Sequence, residues 1–266
     1  MIIIKQLAIT TAMLIIILIS YTNDSSKKAT SLNKTDADNN SNYTPKTISQ
    51  IACPKNYSRA LSERNSFSTY LQSLPLKKEN VVYYYNGQIK PNQTANYAVV
   101  DISVGNRDLQ QCADAVMRLR AEYLYGLNAF DKIKFTDNDG KMYQFAPPYT
   151  GVNFNSYLNL VFGMCGSASL AKQLVPKPDI NDLQIGDVWI RGGYPGHAVI
   201  VVDVAVNNRG NKIFMLAQSY MPAQNIHILT NPNSTDITPW YGISDVGASL
   251  QTAQYTFSNN ELMTWE

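Results

Sequence analysis

Histidine and cysteine are scarce in this 266-residue chain, with two and three copies respectively. No two histidines stand at ligand spacing, and neither an HExxH nor a CxxC pattern occurs, so we expect no zinc site and no other bound metal. No GxGxxG or Walker loop precedes a helix, which argues against nucleotide binding. A GxSxG elbow is also absent, which argues against a serine hydrolase. We therefore predict no cofactor.

Charged residues are also few, at 16% of the chain, and the net charge is only +2. A charge this small does not predict a nucleic-acid partner or binding to an anionic membrane surface. Hydrophobic residues make up 45% of the chain, which is enough for a buried core at this length. We therefore expect a globular protein.

The first twenty residues have the pattern of an export signal. Lys5 precedes an apolar run from Leu7 to Ile19, which has the length of a signal-peptide core and is short for a full membrane span. The segment 1–20 is therefore predicted to be a cleaved signal peptide or, alternatively, an uncleaved N-terminal anchor. Either alternative places the body outside the cytoplasm, as a periplasmic, extracellular or membrane-tethered protein, and only the anchor would bring it to a membrane.

Residues 21–50 are rich in Asn, Ser, Thr, Asp and Lys and contain almost no large aliphatic side chains. Such a segment buries too little apolar surface to offset its ordering entropy, so we predict a disordered polar tether. The rest, 51–266, is predicted to be one globular domain. In an oxidising compartment an odd number of cysteines leaves at least one thiol free. The alternative to a reactive thiol is one disulfide together with one buried, unreactive cysteine.

The hydrophobic patterns predict helices first and an antiparallel sheet later, which is typical of an α+β fold. The predicted helices span 66–74, 108–127 with Asp108 as the cap, and 156–174 with an interruption at 163–166. A hairpin is predicted over 133–145. A β-meander is predicted over 187–190, 197–206, 212–219 and 225–229.

His197 is the candidate general base, because it opens an apolar strand directly after a Gly-rich turn. Pairing about the turn at 207–211 places it opposite 219–221, and a one-residue bulge would bring in Gln218. Gln218 or Ser219 is therefore predicted to fix the tautomer of this imidazole. Asp203 shares its face in a regular strand but lies about 20 Å away, too far to orient it.

Cys112 is the candidate nucleophile, since a thiol in the first turn of a helix has its pKa lowered by the helix dipole. Cys165, before another helical segment, is the alternative, and a small buried core residue is the other interpretation of Cys112. Arg118, Arg120 and Tyr220 are candidates for substrate binding, the arginines because guanidinium suits a carboxylate. Alternatively, Arg118 forms a surface ion pair with Glu122, which lies four residues further along the same helix.

The segments GDVWI and GYPGHAVIVV, followed by a strand that ends in polar residues, resemble the CHAP and NlpC-type cell-wall amidases and endopeptidases. That resemblance implies a papain-like fold with helices packed on the antiparallel meander. It also implies Cys112 as nucleophile, His197 as base and Gln218 or Ser219 as the third residue. The implied activity is cleavage of amide bonds in peptidoglycan stem peptides. An inactive protein of the same fold that binds envelope peptides or has a structural role is the alternative.

A longer resemblance rests on RDLQQCADAVMRLRAEYLY, IGDVWIRGGYPGHAVIVVDVA and LAQSYMPAQNIHIL. These stretches look like the bacterial domain-of-unknown-function 4846 family. Membership in that family implies no established activity.

Overall fold

The computed structural model describes residues 44–145 and 153–266. These residues contain four α-helices and thirteen strands. The predicted export segment 1–20 and nearly all of the tether lie outside the described residues. A 3-10 helix at Ile48–Gln50 buries Ile48 completely, and the compact unit extends from Pro45 to Glu266.

Most strands join one large, mainly antiparallel sheet, in the order β2-β9-β8-β7-β6-β13-β5, while β1 pairs with β7 and β10 with β8. Two separate hairpins are formed by β3 with β4 and by β11 with β12. The strands are β1 Tyr57–Arg59, β2 Asn96–Val99, β3 Lys134–Thr136, β4 Met142–Gln144, β5 Val175–Pro176, β6 Val188–Arg191, β7 His197–Asn207, β8 Lys212–Gln218, β9 His227–Leu229, β10 Tyr241–Gly242, β11 Ser249–Gln251, β12 Thr256–Ser258 and β13 Leu262–Thr264.

The helices are α1 Phe67–Ser73, α2 Cys112–Gly126, α3 Phe154–Met164 and α4 Ser167–Ala171. The α+β class, the predicted meander β6 to β9 and the broken third helix are confirmed. The predicted cap of α2 is wrong. Gln111 is the capping residue, and its main-chain N–H donates to Asp114 at 3.0 Å. Asp108 instead accepts a 2.7 Å hydrogen bond from the main chain of Ala223.

Strand β7 divides the protein into two cores. Ala198, Ile200 and Val202 face the larger core, which includes the buried side of α2, because alternate residues of a strand point to opposite faces. Val199 and Val201 face a smaller core with Phe257 of β12. The sheet is therefore covered on both sides, which explains the continuous apolar run in the sequence.

A β-bulge between Val201 and Asp203 interrupts this alternation. Asp203 consequently faces the larger core, where it accepts hydrogen bonds of 2.7 Å from both Gln72 of α1 and Arg59 of β1. The prediction that Asp203 shares the face of His197 is wrong for this reason. A bulge adds one residue to one strand and so exchanges the faces beyond it.

No helix among the described residues is both long enough and apolar enough to span a membrane. The N-terminal apolar run lies outside these residues.

Candidate active site

Cys112 is the first residue of α2, so its thiol lies where the helix presents free main-chain N–H groups. Main-chain hydrogen bonds from Ala113, from Ala198 and from its own amide favour the thiolate and act to lower its pKa. Ala198 directly follows His197 in β7. The packing of α2 on the sheet thus brings the thiol to the start of the strand that carries the candidate base.

Burial nevertheless raises the pKa of Cys112 to about 11, and the nearby Asp114 adds to the rise. The expected lowering of this pKa is wrong, because loss of hydration outweighs the main-chain donors at a side chain that is only 7% exposed. Asp114 is itself buried, and burial raises its pKa well above the ordinary value. At neutral pH the resting structure therefore holds a protonated thiol.

His197 donates a 2.8 Å hydrogen bond from Nε2 to Oε1 of Gln218, on the neighbouring strand β8. Its ring packs against three aromatic rings, with centroid distances of 4.6 Å to Tyr220, 4.9 Å to Tyr255 and 5.8 Å to Phe257. The predicted Gln218 partner is therefore in place. Within the described residues Nδ1 has no hydrogen bond and is left for a further partner.

Burial lowers the pKa of His197 to about 4, and the charge of Lys90 acts in the same direction. The imidazole is neutral at pH 7 and can accept a proton. Among the described residues no hydrogen bond joins this ring to the Cys112 thiol. The ring packs with Tyr255 and Phe257 of the smaller core, whereas α2 packs on the larger core. Tyr220 lies beside both groups, since its ring centroid is 4.6 Å from that of His197, and burial and then the nearby Cys112 raise its pKa.

Within the described residues Ser219, the alternative to Gln218, makes no hydrogen bond to His197. Its hydroxyl lies within hydrogen-bond distance of two carbonyl oxygens, that of Gln110 at 3.0 Å and that of Gln224 at 2.9 Å. The serine therefore ties the end of β8 to the segment before α2, and of the two candidates only Gln218 is hydrogen-bonded to the imidazole.

A cleft of about 450 Å³ opens beside Cys112. One wall is the turn before His197, including Tyr194, which is 96% exposed. Cys165 lines the same cleft, and burial raises its pKa to about 11 as well. All three cysteines are free thiols, so the predicted alternative of a disulfide is not formed in this structure.

The structure places the two arginines away from this cleft. Arg118 forms the alternative pair with Glu122 at 2.7 Å and donates to the main chain of Ser103 at 2.5 Å. Arg120 lies over the rings of Phe67, Tyr123 and Trp265 and lines a different cavity of about 580 Å³. Of the three predicted substrate-binding residues, only Tyr220 is next to the candidate base.

Sequence reasoning missed two polar residues behind Gln218. Lys90 and Gln254 form a hydrogen-bonded group with Gln218 and His227, although Lys90 and Gln254 are 164 residues apart. The apolar neighbours of His227 on its strand predict a structural histidine, either satisfied or exposed. It is satisfied, since it bonds both Gln218 and the carbonyl of Asn225. No local pattern marks the two others as site residues.

The described residues contain no group of three or more His, Cys, Asp or Glu side chains arranged to hold a metal ion. The candidate site holds the Cys112 thiol, the His197 imidazole and the Gln218 amide. Groups of these kinds can take part in proton transfer and nucleophilic attack.

Comparison with known proteins gives one match. A family model described as "Domain of unknown function (4846)" matches residues 48–152 and 142–264. No curated protein and no solved structure matches the chain.

Proposed function

The chain belongs to this family, domain of unknown function 4846, and we propose that it is a cysteine-dependent amidase or endopeptidase with a papain-like catalytic arrangement. The observation that carries the proposal is the 2.8 Å bond from Nε2 of His197 to Gln218, next to a helix that begins at Cys112. A cysteine, a base and a group that orients the base are the three parts of such a site.

In the proposed reaction His197 accepts the thiol proton on Nδ1 as the Cys112 sulfur attacks the amide carbonyl carbon. The carbon–nitrogen bond then breaks, and the imidazolium returns the proton to the leaving amine. Water, deprotonated by the same imidazole, hydrolyses the thioester and regenerates the thiol. The main-chain N–H groups of Cys112 and Ala113 at the start of α2 are donors for the developing oxyanion.

The neutral resting pair fits a general-base mechanism. With pKa values of about 11 for the thiol and about 4 for the imidazole, a thiolate–imidazolium pair is not populated before substrate arrives. We infer that an amide group bound in the cleft brings the sulfur and Nδ1 together. Proton transfer then accompanies the attack on the carbonyl.

We propose stem peptides of peptidoglycan, or another envelope peptide, as the substrate, and a location outside the cytoplasm. The support is the N-terminal signal pattern and the similarity of the His197 segment to cell-wall amidases. The cleft volume of about 450 Å³ suits a short stretch of peptide. Tyr194 and Met221, both exposed at the cleft, are the side chains for first contact with such a peptide.

One observation favours an inactive binding or structural protein of the same fold. The Cys112 thiol is nearly buried, and it makes no hydrogen bond to the His197 ring within the described residues. Such a protein would bind an envelope peptide in the cleft without forming a thioester.

The test is incubation of the full chain with purified, glycan-digested peptidoglycan, followed by mass spectrometry of the products. We expect new fragments with free amines from the wild type and from Cys165→Ser, the control that alters a second thiol of the same cleft. Cys112→Ser and His197→Gln should give none. In parallel, iodoacetamide labelling with site mapping should show Cys112 alkylation that His197→Gln slows. If the substrate stays intact and Cys112 does not react with iodoacetamide, the proposal of an enzyme is refuted. The alternative of a binding protein then remains.

A further inference from the structure

Four polar side chains, including the candidate base itself, form one continuous hydrogen-bonded chain. Nζ of Lys90 donates to Oε1 of Gln254 at 2.7 Å, and the same oxygen accepts from Nε2 of Gln218 at 2.8 Å. Gln218 in turn accepts from His197 at 2.8 Å. These residues come from the segment after Tyr83, the loop between β11 and β12, and strands β8 and β7.

Lys90 is the unusual member of this chain. It is 3% exposed, and among the described residues no carboxylate forms an ion pair with it. The one hydrogen bond of its ammonium group among these residues goes to Gln254. Burial lowers its pKa to about 8, so at neutral pH it remains mostly an ammonium group. Burying an unpaired charge costs folding free energy. A buried lysine without a carboxylate partner is therefore a candidate for a functional role.

An ammonium group can only donate hydrogen bonds, whereas an amide side chain can turn either end towards a partner. Facing Lys90, Gln254 must present its oxygen. Gln218 must then turn its NH₂ group towards that oxygen, which leaves its own oxygen facing His197. An oxygen at that position requires a proton on Nε2 of the imidazole and leaves the lone pair on Nδ1.

We propose that Lys90 is a positioning residue that fixes the tautomer of His197 through Gln254 and Gln218. The catalytic value of that tautomer rests on the proposed function, because Nδ1 is the atom that would accept the thiol proton. The tautomer itself is a property of the folded protein and can be measured without substrate.

His227 supports the same orientation of Gln218. Its Nδ1 lies 2.9 Å from the carbonyl of Asn225 and must donate to it, so its Nε2 is an acceptor. That acceptor lies 3.3 Å from Nε2 of Gln218 and receives the second proton of the same NH₂ group. This bond is the longer of the two, so Lys90 and Gln254 supply the stronger constraint.

The tautomers can be read from two-bond ¹H–¹⁵N correlation spectra of protein labelled at histidine nitrogen, at pH 7. The chain has two histidines, so one His227→Gln spectrum assigns both. In the wild type we expect the proton on Nε2 in His197 and on Nδ1 in His227. A wild-type His197 protonated on Nδ1 would overturn the proposal.

Lys90→Met removes the donor while keeping the length of the side chain. We expect the Nδ1-protonated form of His197 to become visible in this variant. Gln254→Glu keeps an acceptor towards both Lys90 and Gln218 and should leave the tautomer unchanged. Lys212→Met is the matched control, because that partly buried lysine bonds the carbonyls of Asn181 and Leu183 far from the site. A Lys90→Met protein with the wild-type His197 tautomer would refute the role of Lys90.

The reactivity of Cys112 gives a second readout. A positioned general base contributes about 10²–10⁴-fold to proton transfer, so Lys90→Met should slow alkylation of Cys112 by about tenfold or more. Lys212→Met should not. If Lys90→Met does not fold, a wild-type His197 protonated on Nδ1, or a changed tautomer in Gln254→Glu, would still overturn the proposal. If Cys112 is inert in the wild type, the proposed function fails, and the spectra alone decide the role of Lys90.

Discussion

His197 and Gln218 are joined by a 2.8 Å hydrogen bond although they are not directly opposite each other in the sheet. Continuing the register of Ile200 with Ala217 places Tyr220 opposite His197, and the 4.6 Å distance between their rings agrees with this pairing. Gln218 is thus a diagonal neighbour on the same face, which long side chains can reach. The aromatic partner covers the imidazole, and the diagonal partner orients it.

Gln218→Glu should raise the pKa of His197. A carboxylate within hydrogen-bond distance moves a pKa by about 1–3, so a pKa now at about 4 should move to about 5–7. Histidine NMR titration measures it directly. Gln173→Glu, in a separate set of hydrogen bonds with Thr136 and Ser169, is the matched control and should leave it unchanged. A His197 pKa that stays at about 4 in Gln218→Glu would contradict the assignment of this contact.

Acid should destabilise the fold through its two histidines. Burial lowers their pKa values to about 4 for His197 and about 3 for His227, against 6.5 when exposed. Below about pH 6.5 the unfolded chain binds protons that the folded chain does not, so the free energy of unfolding falls as pH falls through this window. At about 1.4 kcal/mol for each tenfold difference in proton affinity, His197 alone should account for roughly 3 kcal/mol at pH 4.

Urea unfolding at pH 7 and pH 4, for the wild type and for the double variant His197→Gln/His227→Gln, measures this effect. The raised pKa values of the buried Asp114 and Asp203 act in the opposite direction, but they are present in both proteins. The double variant should therefore lose less stability between the two pH values. Equal losses would show that the histidines are not the cause.

Asp203→Ala should be strongly destabilising, because it leaves the Arg59 guanidinium without its carboxylate partner. The Asp203 side chain is fully buried and lies 2.7 Å from Arg59, and removing one partner of a buried pair costs about 3–5 kcal/mol. Glu122→Gln at the more exposed pair with Arg118 should cost less than about 1 kcal/mol. Urea unfolding compares them, and similar losses at the two sites would contradict this view of Asp203.

Gly196→Ala should disturb the turn that precedes His197. A Cβ atom there would overlap Ser167 Oγ and would lie 2.5 Å from the carbonyl oxygen of Gly193. Overpacking of this kind costs about 1–3 kcal/mol. Gly163→Ala in α3 meets no atom within 4 Å and should stabilise the protein by up to about 1 kcal/mol. Thermal unfolding distinguishes the two, and a neutral Gly196→Ala would mean that the turn can shift.

Helices and strands were predictable here because hydrophobic periodicity reports directly on burial. The β6–β9 meander, the break in the helix before Cys165 and the Gln218 partner of His197 all followed from spacing. The raised pKa of Cys112 did not, because it depends on how deeply the helix start is buried. The Lys90–Gln254 contact also could not be predicted, since only the tertiary fold joins segments so distant in the chain.

The bulge in β7 makes one strand behave as two segments that are out of phase. The first segment directs His197 into the smaller core, and the second directs Asp203 to the arginine of β1 on the other side. Removing the extra residue, by deletion of Val202, would put the whole strand into a single phase. One of the two polar groups would then face the wrong core, so this protein would tolerate substitution along β7 far better than a change in its length.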